Sequence, residues 1–391
     1  MIQIAERMGR LGTESAFEVL ARARALEAEG KHVVHLEIGE PDFDTPAHIV
    51  EAAIKALRDG HTHYTPSPGI PELREAIAEH LTATRGTAVT PDRVVVTPGG
   101  KPIMYFVITA CVDPGDEVLV PDPGFPIYAS VVRFVGGVPV SVPLREEHGF
   151  RMQVADVAAR ITPRTRLLIL NTPHNPCGSA LTQPDIEGLA DLARRHDLIV
   201  LSDEIYGEIL YEGAHASILP LPGMAERTVL LDGFSKTYAM TGWRLGYGAM
   251  PVALAEQVAR LMTNSNSCTA AFTQWAGIAA LKGPQAPGRK MVAEFHRRRD
   301  FLVPALNAIP GVRCANPPGA FYVFPNVAGL PVSANELADL LLQKYGVAVL
   351  AGTCFGDHGE GFLRLSYANS LENLKKAADL MRTAASDLTA R

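Results

Sequence analysis

Lysine is the side chain best suited to covalent chemistry with a carbonyl compound. Lys236 lies in Asp232-Gly-Phe-Ser-Lys-Thr-Tyr-Ala-Met-Thr-Gly-Trp-Arg-Leu-Gly-Tyr247, directly after the apolar run Val229-Leu-Leu231. After Asp232, that stretch carries only two charges, the cations Lys236 and Arg244. A buried ammonium is costly unless paired, and burial lowers its pKa toward the range where the free amine is a nucleophile that can form a Schiff base. Taken alone, a Ser-Lys pair is more simply a solvated turn, so the rest of the chain must decide.

Further candidates follow other apolar runs. Val94-Val-Val96 leads into Thr97-Pro-Gly-Gly-Lys101 and then a helical pattern, where free backbone N–H groups and a helix dipole suit a phosphate. It is not a Walker loop, because Pro102 follows the lysine and the upstream glycine is missing. Leu167-Leu-Ile-Leu170 leads into Asn171-Thr-Pro-His-Asn-Pro-Cys-Gly178, a stiff polar loop that can present Asn175 as a donor. Leu198-Ile-Val-Leu201 leads into Ser202-Asp-Glu-Ile-Tyr206, and an acid at a buried strand end predicts a cationic partner for Asp203. Arg364, between Leu363 and Leu365, poses the converse problem of a guanidinium on a buried strand.

The elements that must position these residues form a pattern. Together with Glu117-Val-Leu-Val120 and Val138-Pro-Val-Ser-Val142, the apolar runs from residue 94 to 231 are separated by helical stretches. Such alternation predicts an α/β fold with a mostly parallel sheet covered on both faces, whose ligands bind at the carboxyl ends of the strands. Before it, Glu14 to Glu29 has helical spacing and Val33 to Ile38 reads as a strand, while Thr45 is expected to cap a helix that opens with Pro46. After it come a long charged helix from Gly288 to Asn307, strands at Ala320–Phe324, Val347–Leu350 and Phe362–Leu365, a helix near Ala334 to Tyr345, and a final helix from Leu371. This wider spacing predicts a smaller α+β domain of residues 1–45 and 288–391 beside a large domain of residues 46–287.

Composition narrows the function classes. A chain of 391 residues with 47% apolar and 20% charged residues has ample length for a deep core, and a formal charge of -6 with interspersed signs argues against a nucleic-acid or membrane-surface partner. Arg297-Arg298-Arg299, with Glu294 and Asp300 as neighbours, is expected to be an exposed charged face of a helix. The five cysteines are widely spaced without a CxxC pair, so neither a disulfide framework nor a zinc site is indicated, which fits a reducing cytoplasm. The first residues lack the charged and apolar regions of a signal peptide, and no apolar run approaches the roughly 18 residues that span a bilayer. His61 and His63 have no third ligand beside them, so no metal is expected.

With the strand ends assembled, the sequence resembles the class I, aspartate aminotransferase-like enzymes that use pyridoxal 5'-phosphate (PLP) on the fold-type-I scaffold. The matching segments, in the family's order, are Gly39-Glu-Pro-Asp42, Tyr64-Thr-Pro-Ser-Pro-Gly69, Thr97 to Lys101, Asn171 to Gly178, Asp203-Glu-Ile-Tyr206, Ser235 to Gly246 and Phe362-Leu-Arg-Leu365. They cover nearly the whole chain. The resemblance implies that Lys236 holds PLP as a Schiff base and, once displaced by the substrate amine, moves the α-proton. It implies that Arg244, Ser235 and the backbone at Gly99, Gly100 and Lys101 bind the phosphate, with Tyr64 reaching the phosphate of the neighbouring subunit in a homodimer with shared active sites. Asp203 would pair with the pyridine nitrogen, Asn175 and Tyr206 would bond the phenolic oxygen, Phe125 would stack on the ring, and Arg364 with Gly39 and Asn175 would hold the substrate α-carboxylate.

Two departures bear on the implied activity, amino-group exchange between an L-amino acid and a 2-oxo acid such as 2-oxoglutarate. Phe125 stands where many relatives carry Tyr or Trp. In the aspartate-specific branch a partner-chain arginine reads the side-chain carboxylate, yet Leu261-Met-Thr-Asn-Ser-Asn-Ser-Cys268 contains no basic residue. Aromatic or aliphatic donors therefore stand beside acidic ones read by another route. The anchoring residues leave a C–S lyase of the same fold as the alternative. A PLP-sensing domain of a transcription regulator is disfavoured, because those carry an N-terminal DNA-binding domain and only about 30 residues precede the first strand here.

Overall fold

A computed structural model of the chain describes residues 2–390. Twelve strands occur among them, the first of which is β1 (Val34–His35). Then come β2 (Val94–Thr97), β3 (Glu117–Asp122), β4 (Val138–Pro143), β5 (Thr165–Asn171), β6 (Ile199–Asp203), β7 (Thr228–Gly233) and β8 (Gly246–Ala249). The last four are short: β9 (Tyr322–Val323), β10 (Val347–Ala348), β11 (Leu350–Ala351) and β12 (Leu363–Ser366).

Strands β2 to β8 form one sheet in the order β2-β8-β7-β6-β5-β3-β4. From β7 through β6, β5 and β3 to β4 the neighbours are parallel, and β8 runs antiparallel to both β2 and β7. The near-continuous apolar runs follow from burial on both faces. Leu167 and Ile169 pack into one core with Val118, Val120, Leu201 and Val229, while Leu168 and Leu170 pack into another with Leu119, Val200, Ile186 and Leu189. Period-two alternation thus sends successive apolar side chains to opposite helical layers. Strand β8 has no apolar run to announce it, since Gly246-Tyr-Gly-Ala249 reads as a turn. Its register explains the glycines: Gly246 pairs with both Thr97 and Gly233, and a Cβ there would lie 2.4 Å from the Gly99 carbonyl carbon.

The remaining strands form two small sheets, a parallel pair β1-β10 and an antiparallel β11-β12-β9. Their core joins Val34 and Leu36 to side chains from Met291 to Ala385, including Phe295, Phe321, Val347, Leu365 and Met381. This packing brings the segment after β1 and the strand β12 over the carboxyl edge of the large sheet.

Several local expectations change. The helix expected to be capped by Thr45 begins at Ala47, and Thr45 instead donates its hydroxyl to the Ala239 carbonyl at 2.6 Å, tying this segment to the loop after Lys236. The triple-arginine helix, Ala286–Asn307, is not an exposed charged face. Arg298 and Arg299 are buried: Arg298 donates to Asp42 at 2.6 Å and Glu294 at 2.9 Å with its guanidinium over Phe43, and Arg299 bonds Glu212 and the Pro317 carbonyl. A guanidinium enters a core when acids and aromatic faces replace its water, and apart from Glu294, one helical turn away, the partners named come from other parts of the chain. The segment near Val347–Leu350 is two short strands, β10 and β11, that join different sheets. No helix among the described residues is long and apolar enough to cross a membrane.

Candidate active site

The carboxyl edge of the large sheet carries Thr97, Asn171, Asp203 and Gly233, with Asn171 and Asp203 in register on β5 and β6. Over this edge lies a cavity of about 510 Å³ that reaches from Glu14 and Phe17 to Arg244 and Arg364. Of the residues singled out from the sequence, Gly39, Gly100, Lys101, Phe125, Asn175, Asp203, Tyr206, Ser235, Lys236, Arg244 and Arg364 all line it. Gly99 stands just behind the wall, where a Cβ would lie 2.3 Å from Arg244 Nη2. Tyr64 does not line the cavity: it is 90% exposed at the surface of this chain. A larger groove of about 1010 Å³ beside the helix Ala286–Asn307 runs past Phe43, His48, Tyr238 and Arg297. It contains none of Asp203, Lys236 or Arg364, so the chemistry belongs to the smaller cavity.

Lys236 is half-buried, and its ammonium donates to the Gly39 carbonyl at 2.5 Å. Removal from water lowers its pKa to about 8, with Glu40 and Glu14 opposing the shift. Among the described residues no carboxylate lies within ion-pair distance of it. Asp203, at the end of β6, is buried, and burial raises its pKa to about 6. The cation expected beside it is absent from the described residues. Instead Oδ2 accepts the Tyr128 hydroxyl at 2.6 Å and Oδ1 accepts the Ile205 N–H at 3.2 Å. An acid held by two donors and lacking a counter-ion is suited to a cationic ligand.

Arg364, on β12, is 3% exposed. It donates to the Glu37 carbonyl and, at 3.4 Å, to Asn175 Oδ1, while Nε has no partner. Its plane lies 4.8 Å from the Tyr322 ring and 5.1 Å from that of Phe355. Burial lowers its pKa, though a guanidinium remains charged. The Asn175 side-chain oxygen thus accepts from Arg364, and its backbone N–H donates to Asn171 Oδ1 at 2.9 Å. Gly39 is required for space, because a Cβ would meet the Tyr322 oxygen at 2.1 Å. Tyr206 and Tyr322 share a hydroxyl–hydroxyl bond of 2.7 Å.

The phosphate candidates also assemble. Gly100 precedes the helix Lys101–Cys111, which therefore aims its first N–H groups at the cavity. Arg244 is exposed, adopts φ +54°, and bonds the Thr241 carbonyl at 2.7 Å without an acid partner. Phe125 lies outside a helix, immediately before Ile127–Val135, with its ring edge-on to Tyr128 at 5.5 Å. Ser235 is buried beside Lys236.

Sequence reasoning missed Tyr128, Tyr322, Glu14 and Glu40. Tyr128 sits in an apolar helical run where an aromatic reads as core, and its contact with Asp203 spans 75 residues. Within Ala320-Phe-Tyr-Val-Phe324 nothing distinguishes Tyr322 from its neighbours. Only the end of α/β strands gave a positional signal.

A deep site at the strand ends, with an amine of lowered pKa, an acid and a guanidinium without ion-pair partners, and a glycine-flanked helix start, defines a class of α/β proteins that bind an anionic, nitrogen-bearing cofactor and process a carboxylate substrate. The described residues fit PLP on those grounds: one orphaned donor, Arg364 Nε, belongs to the cavity lining, Asp203 and Lys236 line it without an ion-pair partner, and its volume suits a cofactor with a small substrate. Comparison with known proteins is specific. The family model for aminotransferase class I and II matches residues 31–380. The aspartate aminotransferase of Pyrococcus abyssi is 43% identical over 90% of this chain and 91% of that protein. The aromatic-amino-acid aminotransferase 2 of Thermococcus litoralis is 42% identical over 89% and 90% respectively. The crystal structure of the aspartate aminotransferase from Rhizobium meliloti superposes with a TM-score of 0.95 at 38% identity, covering 99% of this chain and 100% of that one. The chain belongs to the class I and II aminotransferase family. It is an amino-acid aminotransferase with the fold-type-I α/β architecture.

Proposed function

We propose that this chain binds PLP in the 510 Å³ cavity and exchanges amino groups between an L-amino acid and a 2-oxo acid, with 2-oxoglutarate as one acceptor. The observation that carries the reading is the convergence of Lys236, Asp203 and Arg364, three ionisable groups without ion-pair partners among the described residues, on one cavity. When bound, PLP supplies the aldehyde that takes up the amino group and a ring that accepts the electron pair left at the substrate α-carbon.

Lys236 has the reach and the lowered pKa to act first as nucleophile and then as the base that moves the α-proton. Asp203, kept in place by Tyr128, holds the ring nitrogen protonated. Asn175 and Tyr206 would bond the phenolic oxygen, and Phe125 would cover the ring. Arg244, Ser235 and the N–H groups at Gly99, Gly100 and Lys101 form the phosphate site. Arg364, with Gly39 and Asn175, clamps the α-carboxylate. Its free Nε and the aromatic faces of Tyr322 and Phe355 favour a planar anion.

The exposure of Tyr64 supports a homodimer in which this side chain completes the partner's phosphate site. A core built mostly from Val34, Leu36 and side chains between Met291 and Ala385, against which Tyr206 and Ile209 pack, supports a two-domain organisation of residues 46–287 against 1–45 and 288–391. Free, widely separated cysteines are compatible with a cytoplasmic enzyme. An amino-donor screen by half-reaction, reading the cofactor spectrum, tests the proposal. The expected result is spectral conversion by amino acids that an added 2-oxo acid reverses. Release of ammonia and pyruvate without any acceptor would select the lyase instead, and unchanged turnover in Lys236→Ala would reject the whole assignment.

A further inference from the structure

The charged groups lining the cavity exceed those the reaction uses. Asp203, Lys236, Arg244 and Arg364 have roles in binding and proton transfer. Left over are Glu40, bonded to the Thr241 hydroxyl at the rim, and the ion pair of Glu14 with Lys101. The pair joins two segments 87 residues apart: Glu14 precedes the helix Ser15–Ala28, and Lys101 opens the helix Lys101–Cys111. The Glu14 side chain is 19% exposed and the Lys101 side chain 49% exposed, so the carboxylate is the more enclosed partner. The Lys101 ammonium also lies 5.5 Å from the centre of the Phe125 ring.

Position decides what this pair meets. Glu14 lines a second, small pocket with Phe125, Asn175, Phe355 and Arg364, contiguous with the main cavity. It therefore lines the same pocket as the guanidinium that clamps the α-carboxylate, pairs with the ammonium at Lys101, and acts electrostatically on both Arg364 and Lys236. The same cavity is lined by the apolar side chains of Ala16, Phe17 and Ile38.

Resting on the aminotransferase reading of the same cavity, we propose that Glu14 is a built-in counter-ion occupying, at Lys101, the place of a substrate side-chain carboxylate. The cavity then favours amino acids with uncharged side chains, which pack against Phe17 and Ile38 beside a neutralised pair. A dicarboxylic substrate, the acceptor 2-oxoglutarate included, binds by displacing Glu14 from Lys101, at the cost of placing two carboxylates near each other, which weakens its binding without excluding it. Glu14 is a specificity-determining residue, and Lys101 is the cation it masks.

The test uses the holoenzyme. Half-reactions with L-aspartate and L-phenylalanine are compared in the wild type, Glu14→Gln and Glu14→Ser, the serine variant keeping a good helix N-cap in case glutamine disturbs the helix start. Succinate and 3-phenylpropionate are titrated against the same proteins by the cofactor spectrum, as a binding readout without turnover. A hydrogen bond to a charged group is worth roughly ten- to hundredfold in affinity. The aspartate-to-phenylalanine ratio of kcat/KM and the relative affinity for succinate are therefore both expected to rise at least about tenfold in the Glu14 variants. Adding Lys101→Met should abolish that gain. A ratio that stays within about twofold, or a gain that survives Lys101→Met, overturns the role of Glu14 while leaving transamination intact. Absence of transfer from either donor in the wild type overturns the aminotransferase reading and this inference with it.

Discussion

Asp203 offers the sharpest test of the site, because its function and its contribution to stability have opposite signs. In the cofactor-free protein its pKa stands near 6 against an ordinary value of 3.8, and burial is the main cause. The folded state thus binds a proton more tightly than the unfolded chain. This preference stabilises the fold fully below about pH 4 and is lost as pH rises through about 6. A difference of about 2 pKa values corresponds to roughly 3 kcal/mol at neutral pH. Asp203→Asn removes the ionisation but keeps an acceptor for Tyr128, and its amide brings donors that cost about 1–2 kcal/mol if left unpaired. The quantity to follow is therefore the stability difference between variant and wild type as a function of pH, in which the fixed amide cost cancels.

Urea denaturation of both cofactor-free proteins at matched concentration should show that difference moving in favour of Asp203→Asn by about 2 kcal/mol between pH 4.5 and 7.5. The same substitution should slow the amino-acid half-reaction of the reconstituted enzyme at least about hundredfold, the scale on which a preorganised charge acts. A pH-independent stability difference would show that Asp203 is not an unpaired buried acid. Full activity in Asp203→Asn would refute the pairing of this carboxylate with the cofactor ring.

Other consequences can be measured separately. Arg364→Lys loses the planar pair of donors and should raise KM for every amino donor at least about tenfold in steady-state assays, irrespective of side chain. Gly39→Ala places a methyl group 2.1 Å from the Tyr322 oxygen, which must give way and break the bond to Tyr206. Denaturation should show a loss of about 1–3 kcal/mol together with weaker cofactor binding. With its pKa near 8, Lys236 should be trapped by PLP and borohydride ahead of the surface lysines at pH 8, and peptide mapping should find the label at that position.

What the sequence determined by itself was whatever depends on local order along the chain. Uninterrupted apolar runs can satisfy burial on both faces only in a helix-covered sheet. Polar residues directly after such runs must then share one edge, which brought Asp203, Asn175, Gly100 and Lys236 into view together. Arg364 was visible for the same reason, as a charge between two leucines on a strand.

What needed the tertiary structure was every decision made by partners distant in sequence. Strand β8 exists because Gly246 fits between Thr97 and Gly233, which no run of apolar residues announces. Arg298 and Arg299 are buried because Asp42, Phe43, Glu212 and Pro317 come to them across the fold. Tyr128 reaches Asp203 across 75 residues, and Glu14 meets Lys101 across 87. Charge and hydrogen-bond energies depend on separation in space and on the water displaced, so residue type told which side chains needed partners, and only the packing of the chain chose them.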